Sequence, residues 1–181
     1  VFELEQGRLL FRGANGSGKS GTMQSCIPLV LDGDKRPERL DSFGSRDRRM
    51  EYYLLGDSET GHMDRTGYLW IEFYHEDKQS YKTIGIALRA RRGAAQMVFW
   101  GFLLEDGRRI NQDLHLYDYP NWLETKKKVP LTRKALTEVI GAGGIVVQEQ
   151  ATYRELVKKH IFGFKDNNDS YKDLLKLLLE I

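Results

Sequence analysis

Apolar and polar positions divide the chain into stretches of different texture. Residues 1–12 carry two short apolar runs parted by Gly7, the pattern of extended chain with a bend or a hairpin. A glycine-rich segment, "GANGSGKS" at 13–20, follows. Met23, Cys26, Ile27, Val30 and Leu31 then fall on or near one helical face, which predicts a helix from about Gly18 that Pro28 should kink or end. Residues 32–66, rich in Gly, Asp and Arg, show little periodicity and are expected to form a long loop region, functional or mobile. Three aromatic and β-branched runs come next, "GYLWIEFY" (67–74), "YKTIGIALRAR" (81–91) and "QMVFWGFLL" (96–104), and they predict an antiparallel meander. Asp106-Gly107, between apolar runs, predicts a further hairpin.

The last third reads as helical. Thr132 is placed as an N-cap, Leu131 and Leu136 as a hydrophobic staple, and Gly141 as a stop. Thr152 and Glu155 have capping-box spacing, and Gly163 would end that second helix. "DNNDSYKDLLKLLLEI" starts a third. There is no internal repeat and no heptad run long enough for a coiled coil.

The chemistry suggested most strongly is phosphate binding. Gly13, four residues, then Gly18-Lys19-Ser20 is a Walker A pattern. Glycines let backbone N–H groups curl around a β-phosphate, Lys19 reaches the β- and γ-oxygens, and the Ser20 hydroxyl enters a magnesium shell. "RLLF" before the loop and the apolar-periodic stretch after it supply the strand and helix such a loop joins. The expected cofactors are therefore ATP and Mg2+, bound by Asn15, Gly16, Ser17, Gly18, Lys19, Ser20 and Gly21, with Lys19 as the catalytic residue and Ser20 as the metal ligand. The bland alternative is a glycine-rich turn with an exposed lysine.

Hydrolysis also needs an acid on magnesium and another to position water, normally at the end of an apolar strand. Three runs mimic that signal. "PLVLD" ends at Asp32 but continues the helical stretch. "GFLLED" ends at Glu105 and Asp106, where a turn explains the acids better. "GYLWIE" puts Glu72 inside an alternating strand, where a solvent-facing position is the simpler expectation. "GAGG" at 141–144 lacks the Leu-Ser start of a signature loop and reads as a helix stop. The chain is expected to bind a triphosphate without carrying what cleaves it.

Composition narrows the setting. The 181 residues suit one domain or one lobe of a larger protein, and 40% hydrophobic with 30% charged residues is ordinary globular usage. Cys26 is the sole cysteine, so neither an internal disulfide nor a thiolate zinc site is available, and a cytoplasmic location is expected. A net charge of +2 argues nothing about nucleic acid by itself. The first residue is Val1, which suggests a reading frame that begins upstream.

With Asn15 inside it, "GANGSGKS" resembles the ATPase heads of structural maintenance of chromosomes (SMC) proteins and related ABC-type DNA-repair ATPases. The block "IPLVLDGDKRPERLDSFGSRDRRM", with "RTGYLWIEF", "TIGIALRARRG" and "DLHL" through "PLTRKAL", is similar to the MukB-like SMC ATPases of the Wadjet anti-plasmid system, over essentially the whole chain. The resemblance implies an α/β fold, a P-loop NTPase of ABC/SMC-head type, with residues 1–181 as the single N-terminal lobe: an antiparallel β meander and flanking helices. It implies ATP-driven head engagement and DNA loop extrusion, and a split head whose coiled-coil arm, hinge, signature loop and Walker B lie on other polypeptide. The implied partners are the C-terminal half of the same head, a second SMC head, kleisin and accessory subunits, and DNA, with no membrane. The chain alone is then expected to be inactive as an ATPase.

Other candidates are weaker. "KRPERLDSFGSRDRR" (35–49) carries six basic and three acidic side chains that can reach a γ-phosphate or DNA, or simply pair with one another. "RARR" (89–92) and "KKK" (126–128) suit a DNA-facing or merely solubilising surface. His62, His75, His115 and His160 share no metal-ligand spacing. Trp70, Phe73, Phe99, Trp100 and Phe102 fit a packed meander better than a base-stacking platform. Two other function classes compete with the SMC reading: a small P-loop nucleotide or metabolite kinase, which needs alternating βα units and an arginine-bearing lid, and a non-catalytic interaction module with a vestigial loop.

Overall fold

Alternation of side chains along three long strands sets the architecture, because successive residues of a strand point to opposite faces. The computed structural model describes residues 27–36, 50–57, 59, 61–164, 173, 174 and 177. Within them β1 (Asp64–His75), β2 (Ser80–Arg91) and β3 (Val98–Leu104) form the expected antiparallel meander. A fourth strand, β4 (Gly144–Val147), pairs antiparallel with β3, giving the order β1-β2-β3-β4. The described helices are α1 (Ile27–Asp32), α2 (Met50–Leu55), α3 (Tyr119–Thr125), α4 (Arg133–Ile140) and α5 (Gln150–His160). This is a four-stranded antiparallel sheet with helices on both faces.

Register sorts the core into two layers. Ile84, Ile86 and Leu88 of β2 share one face with Leu103 of β3, and α1, α2 and α5 cover it with Leu29, Val30, Met50, Tyr153 and Val157. Ala87, Trp100, Phe102 and Leu104 share the other, under α4 and the loop residues Ile110, Leu114 and Leu116. Trp100 and Phe102 are 3% and 0% exposed, while Trp70, Phe73 and Phe99 pack against the same two cores, so these aromatics are packing residues. Two glycines make room for large rings: a Cβ on Gly85 would lie 2.3 Å from the Phe102 ring, and one on Gly101 would lie 2.3 Å from that of Tyr153.

Several sequence expectations change. The helix does not end at Pro28; it persists to Asp32, held by Leu29, Val30 and Leu31 at 0%, 2% and 4% exposure. Gly33, at φ 68°, ends it with its N–H on the Leu29 carbonyl at 2.8 Å. The region expected to be loop contains α2, whose buried Met50 and Leu55 are too closely spaced in sequence to show a period. The Asp106-Gly107 hairpin does not form. Gly107 turns the chain at φ 87°, but β3 takes β4 as its neighbour, and residues 105–118 cross the second face, where Ile110, Leu114 and Leu116 are buried.

In the last third, Thr132 caps α4 by accepting from the Ala135 N–H at 3.3 Å, with Leu131 and Leu136 in the same core. Gly141 follows as its C-cap at φ 56°. The helical expectation fails at β4, a short run that becomes a strand only by pairing with β3. The Thr152–Glu155 capping box also fails. Here α5 starts at Gln150 with no side-chain cap, and Glu155 lies 3.5 Å from Lys158 instead. α5 gives way near Gly163, at φ 68°. The N-terminal strand expectation lies outside the described residues, as does most of the third helix, described only at Asp173, Leu174 and Leu177, which are helical.

Candidate functional site

The Walker A pattern residues expected to hold a phosphate, Asn15, Gly16, Ser17, Gly18, Lys19, Ser20 and Gly21, lie outside the described residues, as do Gly13 and Arg39, Arg46, Arg48 and Arg49. Description begins at Ile27, and α1 (Ile27–Asp32) is the nearest described element along the chain.

A helix leaves its final carbonyls without intrahelical donors, and α5 supplies two. The Tyr153 hydroxyl donates to the Val30 carbonyl, and Gln150 Nε2 donates to the Asp32 carbonyl at 3.4 Å. Gln150 is half-buried and engaged, whereas Gln148 is exposed. Beyond Gly33 the chain folds on its own acids. Asp32 Oδ1 accepts from the Asp34 N–H at 2.8 Å, and Asp34 takes Arg36 through Nε at 2.9 and 3.0 Å and Nη2 at 2.6 Å. Burial works against the Asp34 charge, but Arg36's hydrogen bonds and charge, with Arg154's charge behind them, outweigh it and hold the carboxyl below the usual range. Lys35 Nζ donates to the Met97 carbonyl at 2.9 Å, and burial pushes its pKa down. Of the basic run at 35–49, the two described members are thus tied within the molecule.

Each acid that mimicked a Walker B terminus has a structural partner. Asp32 is 2% exposed on a helix, not a strand. Glu72 does not face solvent as alternation suggested; its oxygens take the Ile110 N–H at 2.8 Å and Arg109 Nη2 at 3.1 Å, pinning residues 105–118 to β1. Glu105 lies 3.1 Å from both Lys82 Nζ and His160 Nδ1; burial pulls its pKa up, and these two partners more than reverse that. Asp106 holds Arg108 at 2.6 Å, and Arg108 donates on to the Val139 and Ile140 carbonyls at 3.0 and 2.6 Å. This explains "GAGG": a Cβ on Gly143 would lie 1.9 Å from Asp106 Oδ2. Among the described residues no group of three or more His, Cys, Asp or Glu could hold a metal ion.

The basic runs behave differently from one another. Arg89 grips Asp64 through Nε at 2.8 Å and Nη2 at 2.7 Å, Arg91 adds a contact at 3.1 Å, and together they hold the Asp64 carboxyl down at about 2. Arg92 donates to the Leu55, Gly56 and Asp57 carbonyls at the end of α2. "RARR" is therefore spent on the fold. In "KKK", Lys126 and Lys128 lie 4.9 Å over the Trp122 and Tyr117 rings, and all three lysines are exposed. His115 stacks on Tyr119 at 4.0 Å in the same aromatic group.

Sequence reasoning missed Tyr153, fully buried, and the pairing of Glu72 with Arg109. Tyr153 and Val157 at i, i+4 were a legible sign of a buried helix face; their partners, remote in sequence, were not. Among the described residues no helix is long and apolar enough to cross a membrane. No family model, curated protein or solved structure matches the chain.

Proposed function

We propose that this chain is the ATP-binding N-terminal half of an SMC-like ATPase head, of the kind that drives head engagement and DNA loop extrusion in anti-plasmid defence. The observation that carries the reading is "GANGSGKS" between an apolar run and an apolar-periodic helical stretch. Lys19 and Ser20 would hold the nucleotide phosphates and Mg2+, and the bound metal would supply charge neutralisation at the γ-phosphate. The described sheet supports this choice over a small kinase. A P-loop kinase is built of alternating strands and helices around a parallel sheet, whereas all three pairings here are antiparallel. The partners of such a head are its own C-terminal half, a second head, kleisin and accessory subunits, and DNA.

The test is calorimetric titration of Mg-ATP into the protein expressed from its complete reading frame, beside Lys19→Ala. Binding that Lys19→Ala abolishes is the expected result. The chain of 181 residues alone should turn over ATP negligibly, with addition of the C-terminal half restoring hydrolysis. Robust turnover by the isolated chain, or phosphate transfer to a small acceptor, would overturn the half-head reading; the latter would favour the kinase.

A further inference from the structure

We infer that the surface formed by Tyr119, Leu123 and the lysines at 126–128 binds a single strand of nucleic acid, the lysines taking its phosphates and the exposed aromatic surface its unpaired bases. This goes beyond the half-head reading, which names DNA as a partner without placing it, and it involves none of the Walker A residues.

The surface is built outward from the second core. In "DLHLYDYPNW" (113–122) Leu114 and Leu116 are 2% and 5% exposed in that core, while His115 and Tyr117 are only half-buried. Asp118 then starts α3 by accepting from the Asn121 N–H at 3.0 Å, and the helix buries none of its residues. Its rings gather instead with His115. The His115 ring lies 4.0 Å from that of Tyr119 at a tilt of 30°, and Tyr119 and Trp122 stack at 5.4 Å and 25°. Tyr119 remains 38% exposed and Leu123 50%.

The lysines stand beside this group in fixed positions. α3 ends at Lys126, at φ 57°, whose N–H donates to the Trp122 carbonyl at 2.9 Å. The Lys127 N–H donates to the Thr125 hydroxyl at 3.2 Å, and the Asp118 N–H to the Val129 carbonyl at 2.8 Å. Lys126 and Lys128 hold Nζ 4.9 Å over the Trp122 and Tyr117 rings. Groups placed in this way lose little freedom when a phosphate arrives.

Charge points to the partner. Residues 115–134 hold five of the chain's 28 basic side chains but only two of its 26 acidic ones. Arg89, Arg91, Arg108 and Arg109 each have a carboxylate partner, whereas among the described residues Lys126, Lys127, Lys128 and Arg133 form no ion pair. Unneutralised ammonium groups attract any polyanion. The rings beside them favour a strand with free bases, because every base has a stacking face and a duplex hides its own.

The test is fluorescence anisotropy with a labelled oligothymidylate of about 20 nucleotides and a duplex of the same length, on the protein expressed from its complete reading frame and without ATP. The variants are Tyr119→Ala and the pair Lys127→Gln with Lys128→Gln. A charge-matched control is Lys78→Gln with Lys159→Gln, exposed lysines of the β1–β2 turn and α5. Thermal melting checks folding, and the lysine pair tests the surface even if Tyr119→Ala is destabilised. Tyr119→Ala is expected to weaken the single strand about fivefold or more, with the duplex unaffected. The Lys127 and Lys128 pair should lower the slope of log affinity against log salt by about 1.4, and the control should bind as wild type does. No single-strand binding, equal effects of Tyr119→Ala on strand and duplex, or equal losses in the two lysine pairs would overturn the inference. Polyglutamate competing as well as oligothymidylate would assign the surface to an acidic protein, and would overturn it too. Mg-ATP binding is measured separately, so the half-head reading survives each of these results.

Discussion

On one face of the sheet α1 and α5 meet through neutral donors, one fully buried and one half-buried; on the other, residues 105–118 and α4 are tied down largely by charged groups at its margin. Tyr153 and Gln150 reach the Val30 and Asp32 carbonyls on the first face. Glu72 with Arg109, and Asp106 with Arg108, do the equivalent work on the second, with side chains 16% to 32% exposed. Neutral buried hydrogen bonds respond little to salt, whereas ion pairs near the surface are screened. Helix α1 is thus tethered to α5 by contacts that ionic strength hardly alters, whereas salt-sensitive pairs hold residues 105–118 on the opposite face and, through Lys82, Glu105 and His160, the end of α5.

The comparison can be broken most sharply at Tyr153. Truncation to alanine should cost about 3–5 kcal/mol, since it opens a ring-sized cavity and orphans the Val30 carbonyl, and the loss measured by urea unfolding should be the same at low and high salt. Glu72→Gln should cost less, about 1–3 kcal/mol, because Arg109 and the Ile110 N–H lose a charged acceptor; this loss should shrink as salt rises. A salt-independent Glu72→Gln effect would erase the distinction between the faces.

Thr83, on the second face and 0% exposed, has a hydroxyl with no hydrogen-bond partner. Thr83→Val should therefore raise stability, by up to about 1 kcal/mol, since it removes a buried polar group that gains nothing in return. A lower melting temperature would show that the hydroxyl is satisfied in solution. The smallest effect should come from Asp64, held at about 2 by Arg89 and Arg91 against an ordinary 3.8. Its folded pKa is depressed, so its contribution is complete above 3.8 and fades as pH falls through about 2. Asp64→Asn should lower the melting temperature slightly through the neutral range, where the ion pairs are complete, and converge on wild type as pH falls through about 2.

The meander was legible because aromatic and β-branched residues alternate over long runs, and β1 to β3 appear where those runs lie. The α4 boundaries were legible from Thr132 and Gly141, whose cap chemistry is local. Short elements were not. α2 and β4 are defined by what they pack against or pair with, and runs as brief as "MEYYLL" and "GIVV" carry no period of their own. The Asp106-Gly107 expectation identified a real turn but assigned it the wrong partner, since a turn constrains direction over a few residues and strand pairing is settled across the sheet. Among the candidate site residues, the acids that resembled a Walker B end could be read for type but not for use: Glu72 and Glu105 are occupied by Arg109, Lys82 and His160, which proximity in sequence does not reveal.

By itself the sequence determined the local matters: where strands and the α4 helix run, which residue types could cradle a phosphate, and that one cysteine excludes an internal disulfide and a multi-thiolate metal site among these residues. These depend on side-chain period, backbone freedom at glycine and functional-group identity, all of which act over a turn or two. Only the tertiary structure decided that Arg89, Arg91 and Arg92 serve the fold, that Glu72 faces Arg109, and that Tyr153 completes the end of α1. A hydrogen bond or ion pair forms between groups that folding brings together, and the geometry that joins Val30 to Tyr153 exists only once the sheet on which α1 and α5 both pack has formed.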